Sequence, residues 1–174
     1  NGFSGATTKA IAAEAGVAEV TLFRYFGSKK TLFLKTAEYI GAQFGLMDIP
    51  NRLSGDFRQD VYLVCQQLLR HFIRSNELIR MLIFEVKKYR DAYHVLLDIR
   101  HKAMANIRQM VCRYPETDTG KCTTDSLEWL MSSLIGASLS YHQFHAGADE
   151  DTFVLSQAGL ISSAFVNQIT KSRM

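Results

Sequence analysis

The sequence predicts an all-α protein in which a short helix-turn-helix head precedes a larger helical body. Three observations support this fold class. Apolar residues recur three and four positions apart along most of the 174 residues, the spacing of a helix that buries one face. Proline occurs only at Pro50 and Pro115, so long helices are not interrupted. Residues 7–26 (TTKAIAAEAGVAEVTLFRYF) fit two short helices joined at a glycine.

The first helix of this segment is predicted to begin at Thr7 or Thr8, because a threonine hydroxyl can accept a hydrogen bond from an amide two or three residues on. Gly16 is expected to end the helix in the left-handed conformation that glycine tolerates. Val17 is then predicted to be a buried plug in the turn. Helical spacing directs three residues toward a small core: Ile11, Ala12 and Ala15.

The second helix is predicted to have an apolar inner face and a polar, aromatic outer face. Leu22 and Phe26, four residues apart, form the inner stripe. The remaining positions are expected to face outward: Ala18, Glu19, Val20, Thr21, Arg24 and Tyr25. Such an outer face is typical of the helix that enters the major groove of DNA. After a second stop at Gly27, Ser28 is predicted to cap a third helix that begins with two lysines.

Residues 8–12 (TKAIA), 15–17 (AGV), 21–26 (TLFRYF) and 28–33 (SKKTLF) together resemble the DNA-binding head of the TetR/AcrR family. The resemblance covers roughly the first 45 residues and is carried by the glycine turn, the aromatic-rich second helix and the Phe-x-Ser-Lys exit. It implies a bacterial, all-helical, homodimeric repressor in which a ligand pocket controls operator binding. The remainder of the chain agrees in length and helical character.

Three positions depart from the family pattern. Ala18 stands where a capping Ser or Thr is usual, and Val20 stands where a Gly or another small residue is common. Phe23 replaces the usual Tyr and so lacks a hydroxyl that family members often direct at a phosphate. Asn1 lies near the point where the first helix of the family should finish, so preceding residues are expected to exist.

The resemblance implies a double-stranded DNA operator as a partner. Three residues are candidate readers of base edges: Glu19, Thr21 and Arg24. Three are candidate phosphate contacts, which fix register: Thr8, Tyr25 and Lys29. The full predicted set is Thr7, Thr8, Lys9, Ala18, Glu19, Val20, Thr21, Phe23, Arg24, Tyr25 and Lys29. Residues 1–45 carry five Lys/Arg and three Asp/Glu, within a net charge of +3 for the chain, which is modest support for DNA binding.

The composition excludes several other classes. No apolar run approaches the length of about 18 residues that indicates a membrane span, and no secretory signal is visible. The three cysteines, an odd number at irregular spacing, favour a reducing, cytoplasmic location. No phosphate loop, nucleophile elbow or paired-carboxylate motif is present, so neither an enzyme nor a cofactor is predicted. His142 and His145 share a helix face, but we interpret them as partners of the helix dipole rather than metal ligands.

The body, residues 46–174, is predicted to contain helices over 57–75, 78–89, 92–114, about 124–144 and about 151–170, with a loop at 116–124. The last two helices are the predicted site of self-association into a four-helix bundle. The candidate interface residues are Gly136, Ser140, Val154, Ala158, Ile161 and Phe165. The alternative is that the apolar stripe of the last helix packs against its own domain.

A regulatory pocket is predicted among the middle helices, for an unidentified small-molecule effector of apolar or amphipathic character. Its candidate lining residues are Cys65, Phe72, Met81, Phe84, Tyr89, Tyr93, Met104, Trp129, Ser133 and Phe144. The alternative for each of them is an ordinary place in the core.

These observations predict a ligand-responsive transcriptional repressor that binds DNA as a homodimer. Ligand binding would shift the connecting helix, residues 29–45, and so change the separation of the two heads. The alternative is a helical small-molecule-binding or interaction protein whose head no longer binds DNA.

Overall fold

The computed structural model describes residues 2–42, 52–86, 90–145 and 147–170. Within these ranges the chain forms nine helices and no strand, apart from an isolated antiparallel bridge between Thr117 and Thr170. The predicted all-α fold is therefore confirmed. The helices are α1 (Gly2–Gly5), α2 (Thr8–Glu14), α3 (Glu19–Phe26), α4 (Lys29–Ala42), α5 (Phe57–Arg74), α6 (Asn76–Val86), α7 (Arg90–Val111), α8 (Thr124–Phe144) and α9 (Glu150–Ile169).

The chain divides into two compact units. Unit 1 comprises residues 1–42 and 77–99, so it contains the head and parts of α6 and α7. Unit 2 comprises residues 43–76 and 100–174. The predicted domain boundary at residue 45 lies outside the described residues. No helix among those described has the length and apolar character needed to cross a membrane.

The helix starts in the head lie where local sequence signals predict them. The Thr7 side chain accepts a 3.1 Å hydrogen bond from the amide of Ala10, and Thr7 is the N-cap of α2. At α4, Ser28 Oγ accepts a 3.0 Å bond from the amide of Thr31. Gly27, between α3 and α4, has a φ of 69°, a conformation that an L side chain rarely adopts.

The turn between α2 and α3 is a Schellman motif. Gly16 has a φ of 68°, and the amides of Gly16 and Val17 donate to the carbonyls of Ala13 and Ala12 at 3.1 and 2.9 Å. The predicted burial of Val17 is wrong, because its side chain is 43% exposed, and Ala15 is exposed as well. Ala12 and Leu22 are the buried residues of the two helices, so the turn lies outside the small core.

The core of unit 1 is centred on α4. Phe33 and Ala37 are buried there. Phe3 packs against this pair, and its ring centroid lies 5.2 Å from that of Phe33. The other partly buried residues in the cluster are Leu34, Leu78, Met81, Val95 and Leu96. Parts of α6 and α7 therefore contribute to the core that supports the head.

The core of unit 2 is built on α5, which packs against both α8 and α9, and these also pack against each other. The largest fully buried side chains of the described chain all lie in this unit: Phe72, Phe165, Leu69, Ile107, Leu130, Met131, Leu134, Ile169, Val61, Val64, Val111 and Val154. The helix α8 begins at Thr124, after its N-cap Thr123, and α9 begins at Glu150, after its N-cap Asp149 and one residue before the predicted start. The predicted end of the second body helix at residue 89 lies outside the described residues.

The buried carboxylate of Asp60 stabilises the start of α5 through hydrogen bonds. Asp60 is 1% exposed and accepts hydrogen bonds from the Ser54 amide at 2.7 Å, the Ser54 hydroxyl at 2.9 Å, the Gly55 amide at 2.9 Å and the Tyr114 hydroxyl at 2.5 Å. Burial alone raises the pKa of Asp60, but these hydrogen bonds outweigh it and leave the pKa below its usual value. Asp60 thus ties the segment before α5 to the turn after α7.

Candidate nucleic-acid interface

The helix α3 exposes four of its eight residues to solvent. Leu22 is 5% exposed, whereas Val20 and Tyr25 are each 74% exposed and Phe23 is 43% exposed. Arg24 is exposed between the two aromatic residues. α3 packs on α2 and on α4 through its other side. Large apolar side chains are held in water on this face, which is a common property of recognition surfaces.

The first turn of α3 depends on a contact from α2 rather than on a cap. Ala18 is the N-cap residue and makes no side-chain capping bond, as the departure from the family pattern predicts. The Thr8 hydroxyl instead donates a 2.6 Å hydrogen bond to Glu19 Oε1. This bond joins the starts of the two helices and places a carboxylate where the positive end of the α3 dipole stabilises it.

Three cationic side chains of the head, Arg24, Lys29 and Lys30, each contact a neighbouring side chain. The Arg24 guanidinium lies 5.4 Å from the centroid of the Tyr25 ring, and Lys29 Nζ lies 4.6 Å from the centroid of the Phe3 ring. Lys30 Nζ forms a 2.5 Å ion pair with Asp91, and this contact keeps the pKa of Asp91 below its usual value. Arg24 and Lys29 are thus oriented by aromatic rings, which leaves their charges able to meet a phosphate or a base.

The other predicted DNA-binding residues lie around the same helices. Thr7 and Lys9 are exposed at the start of α2, and Thr21 is half-buried on α3. The hydroxyl of Thr7 is engaged as the cap of α2.

A cavity of about 280 Å³ opens in unit 1. Its lining is almost wholly apolar and comes from α1, α2, α4 and α6 with the adjoining residues: Phe3, Ala6, Ile11, Lys29, Leu32, Phe33, Thr36, Leu78 and Met81. The Thr36 hydroxyl donates to the carbonyl of Leu32 within α4. Lys29 is therefore the lining residue with a charge to offer a ligand.

The predicted pocket residues do not share one environment. Met81 lines the cavity of unit 1. The side chains buried in unit 2 are Cys65, Phe72 and Met104, and burial raises the pKa of Cys65 to about 12. Ser133 is half-buried, while the exposed members are Tyr93, Trp129 and Phe144. The side chain of Phe84, and Tyr89 as a whole, lie outside the described residues.

The predicted interface residues fall into two groups. On α9 the side chains of Val154, Ala158, Ile161 and Phe165 are buried within the protomer. We therefore correct their assignment: they belong to the core of unit 2 and are not accessible to a second chain. On α8, Gly136 is exposed and Ser140 is half-buried.

Exposed apolar residues on α8 and α9 were missed as interface candidates. Leu160 is 66% exposed on the face of α9 opposite to its buried stripe, and Phe144 and Trp129 are 73% and 41% exposed on α8. Trp129, Gly136, Ser140 and Phe144 recur at helical spacing and share one face. The spacing of these residues in the sequence indicates that they share a face. The apolar stripe of α9 is more continuous and therefore gave the stronger prediction of an interface.

The two histidines considered for a metal have structural contacts. His142 Nε2 lies 2.8 Å from the carbonyl oxygen of Ile73, and His145 is the C-cap residue of α8. Within the described residues, no group of three or more His, Cys, Asp or Glu side chains is arranged to hold a metal ion.

The fold and the exposed α3 define the class of an all-α protein with a helix-turn-helix head. The family model for bacterial regulatory proteins of the tetR family matches residues 1–36. A search of curated proteins gave no match. A TetR-family regulator from Mesorhizobium loti MAFF303099 is similar over 97% of this chain and 89% of its own, with 16% identity and a TM-score of 0.77.

The TetR-family regulator PfmR from Thermus thermophilus is also similar, over 97% of this chain and 92% of its own, with 13% identity and a TM-score of 0.65. The predicted resemblance is thus confirmed: residues 1–36 match the model for the tetR family, and the fold is similar to that of the two TetR-family regulators.

Proposed function

We propose that the chain is a ligand-responsive transcriptional repressor that binds its operator as a homodimer. The observation that carries this proposal is the solvent-facing surface of α3, where Arg24 and two aromatic residues, Phe23 and Tyr25, are exposed. Exposed large apolar side chains are unfavourable in water, so their presence on α3 supports a partner that covers them. A matching family model over residues 1–36 supports DNA as that partner.

In this proposal α3 enters the major groove with its N-terminal turn first. Arg24 can donate two hydrogen bonds to a guanine, and Thr21 can contact either a base edge or a thymine methyl. Tyr25 and Lys29 would contact phosphates and fix the register. Glu19 would accept a hydrogen bond from a cytosine amino group.

The homodimer is supported by the exposed face of unit 2 rather than by the apolar stripe of α9. The large apolar side chains of Trp129 and Phe144 on α8 and of Leu160 on α9 are exposed to water in the single chain. A second chain would bury them. A Cβ built on Gly136 meets no atom within 4 Å, so this position leaves room for a facing helix. Two copies of α8 and α9 would form a four-helix interface with two-fold symmetry, which suits a palindromic operator.

The effector is assigned in this proposal to the cavity of unit 1. Its apolar walls suit an alkyl or aromatic group, and Lys29 suits an anionic end. Lys29 is also a proposed phosphate contact, so a bound anion would compete with DNA for the same ammonium group. Release follows because the ligand then binds the DNA-free state more tightly than the DNA-bound state.

The test of DNA binding starts with affinity selection of duplexes from a random library, followed by titration of the selected duplex at several salt concentrations. Each phosphate contact is expected to contribute about 0.9 to the slope of log affinity against log salt. Arg113→Ala removes an exposed charge from the connection after α7 and should leave both affinity and slope unchanged. A failure to enrich any sequence, with a flat salt response, favours the alternative function.

That alternative is a small-molecule-binding or interaction protein with an inactive head. It is favoured by the uncapped start of α3 and by Phe23, which offers no hydroxyl to a phosphate. An enzyme is not proposed.

The effector site is tested with decanoate as the probe ligand. Decanoate should release the selected duplex from the wild-type protein. Met81→Trp fills the cavity and should abolish release while DNA affinity is kept, whereas Met104→Leu, a volume-conserving change in the core of unit 2, should not affect release. Equal release from the wild type and Met81→Trp would exclude this cavity as the site.

A further inference from the structure

A hydrogen bond joins the first residue of α2 to the first residue of α3. The Thr8 hydroxyl donates to Glu19 Oε1 at 2.6 Å, across a separation of 11 residues in the chain. Both side chains are half-buried. The bond therefore lies at the junction of the two helices, partly shielded from water.

Both ends of this bond are attached to backbone with a defined local structure. Thr8 follows Thr7, whose side chain caps α2 by accepting from the Ala10 amide at 3.1 Å. Glu19 begins α3 after the left-handed turn at Gly16. Threonine is branched at Cβ, so its χ1 torsion has few alternatives. The Thr8 hydroxyl thus holds the Glu19 carboxylate in one orientation at the start of α3.

This hydrogen bond limits what Thr8 can do at a DNA surface. A threonine hydroxyl has one hydrogen to donate, and a phosphate oxygen is an acceptor. While Thr8 donates to Glu19, it cannot donate to a phosphate. The contact therefore favours a different role for Thr8 from the predicted phosphate contact.

Glu19 can still accept a further hydrogen bond. A carboxylate has two oxygens with about four lone-pair sites, so Oε2 can accept from a base while Oε1 accepts from Thr8. Cytosine suits this group, because its own major-groove edge carries an amino donor and no acceptor, whereas each of the other three bases presents an acceptor there. A carboxylate that is oriented before binding also loses less side-chain freedom when it contacts the base.

We propose that Thr8 is a positioning residue that determines specificity. Its hydroxyl orients the Glu19 carboxylate, and the oriented carboxylate selects a cytosine in each half-site of the operator. The inference rests on the proposed function, in which the first turn of α3 enters the major groove. It adds the base that is selected and a residue that acts on this selection through another side chain.

The experiment measures base preference with the full chain. The duplex that the wild type selects is remade with each of the four base pairs at every position, and binding to each duplex is titrated. Glu19→Ala should lose a preference for cytosine of about tenfold at one position in each half-site. Thr8→Val removes the hydroxyl and keeps the shape, so it should reduce the preference at that same position by at least about threefold.

Two further variants show whether the hydroxyl is responsible. Thr8→Ser retains a hydroxyl and should recover most of the preference for cytosine. Thr124→Val makes the same change at the first residue of α8, where the side chain is exposed, and should leave every preference as it is in the wild type. In the Glu19→Ala background, Thr8→Val should have no further effect on any duplex, because the group that Thr8 orients is absent.

Several results overturn the proposal. They are an unchanged preference in Thr8→Val, a base other than cytosine at the position that depends on Glu19, and a loss of affinity in Thr8→Val that is equal for all duplexes or persists without Glu19. An equal loss would assign Thr8 to a phosphate contact or to the folding of the head. Each of these results leaves the proposed function standing, because the wild type still selects a sequence, whereas a wild type that selects no duplex contradicts both.

Discussion

The solvent-exposed helix α3 and the central helix α5 differ in how much of each helix is buried. α3 has eight residues, of which Leu22 alone is buried, whereas half of the eighteen residues of α5 are buried. The helix α3 is fixed at its ends: Gly16 and Gly27 turn the chain before and after it, and the Thr8 hydroxyl donates a hydrogen bond to Glu19. The helix α5 is instead stabilised by side-chain packing against α8 and α9. The proposed recognition surface and the most buried helix therefore lie in different regions, so a substitution should be able to change one without the other.

The largest effect is expected in α5. Leu69→Ala removes a side chain that is 0% exposed, and it should lower the free energy of unfolding by about 3 kcal/mol through lost burial and the cavity that remains. Leu155→Ala, at a position that is 47% exposed, is the matched control and should cost much less. Urea unfolding of both variants measures the difference. Equal losses would mean that α5 is not the centre of stability.

The next effect concerns the carboxylate at the start of α5. Asp60→Asn should cost about 2 kcal/mol at neutral pH, because the amide cannot accept all the hydrogen bonds that the carboxylate accepts. The pKa of Asp60 is lowered by folding, so its contribution is complete above the unfolded pKa of about 3.9 and is lost as the pH falls through the folded pKa.

Unfolding curves between neutral and acidic pH check this sign. The gap between the wild type and Asp60→Asn should narrow below about pH 4. Tyr114→Phe removes one of the hydrogen bonds and should give a smaller loss. A gap that widens toward acidic pH would contradict the assigned direction.

A third effect concerns the proposed dimer face. Leu160→Glu places a charge at an exposed apolar position, and it should weaken self-association by at least about tenfold, because a buried charge without a partner is costly. Gln109→Glu adds the same charge at an exposed position of α7 and should leave the dimer intact. Sedimentation velocity over a concentration series measures both. A Leu160→Glu protein that associates like the wild type would place the interface elsewhere.

The smallest effect is expected in the head. Gly16→Ala forces an alanine into a left-handed conformation, at a cost of about 1 kcal/mol. Gly16→Asn should cost less, because asparagine tolerates that conformation better. Hydrogen exchange of the amides in α2 and α3 should speed up for Gly16→Ala while exchange in α5 is unchanged. Faster exchange in α5 as well would show that the two regions do not open separately.

The same contrast explains what the sequence could predict. The Thr7 cap, the left-handed Gly16 and the Ser28 cap depend on residues within a few positions of one another, and all three are found as predicted. The exposure of Val17 and the burial of Phe165 depend on which surface covers a given face. Periodicity shows that a face is apolar, but it does not show whether the cover comes from the same chain or from a partner.

For the same reason the cavity of unit 1 could not be predicted, because its walls come from four helices and Met81 alone among the predicted pocket residues lies in it.

The role of α3 in recognition is tested most directly by repeating the affinity selection with Arg24→Ala. The variant should still enrich the wild-type sequence but should lose its preference at one base position in each half-site, because the side chain that donates to that base is gone. Overall affinity should fall by about tenfold or more. An unchanged preference at every position, with unchanged affinity, would contradict the account that α3 reads the operator.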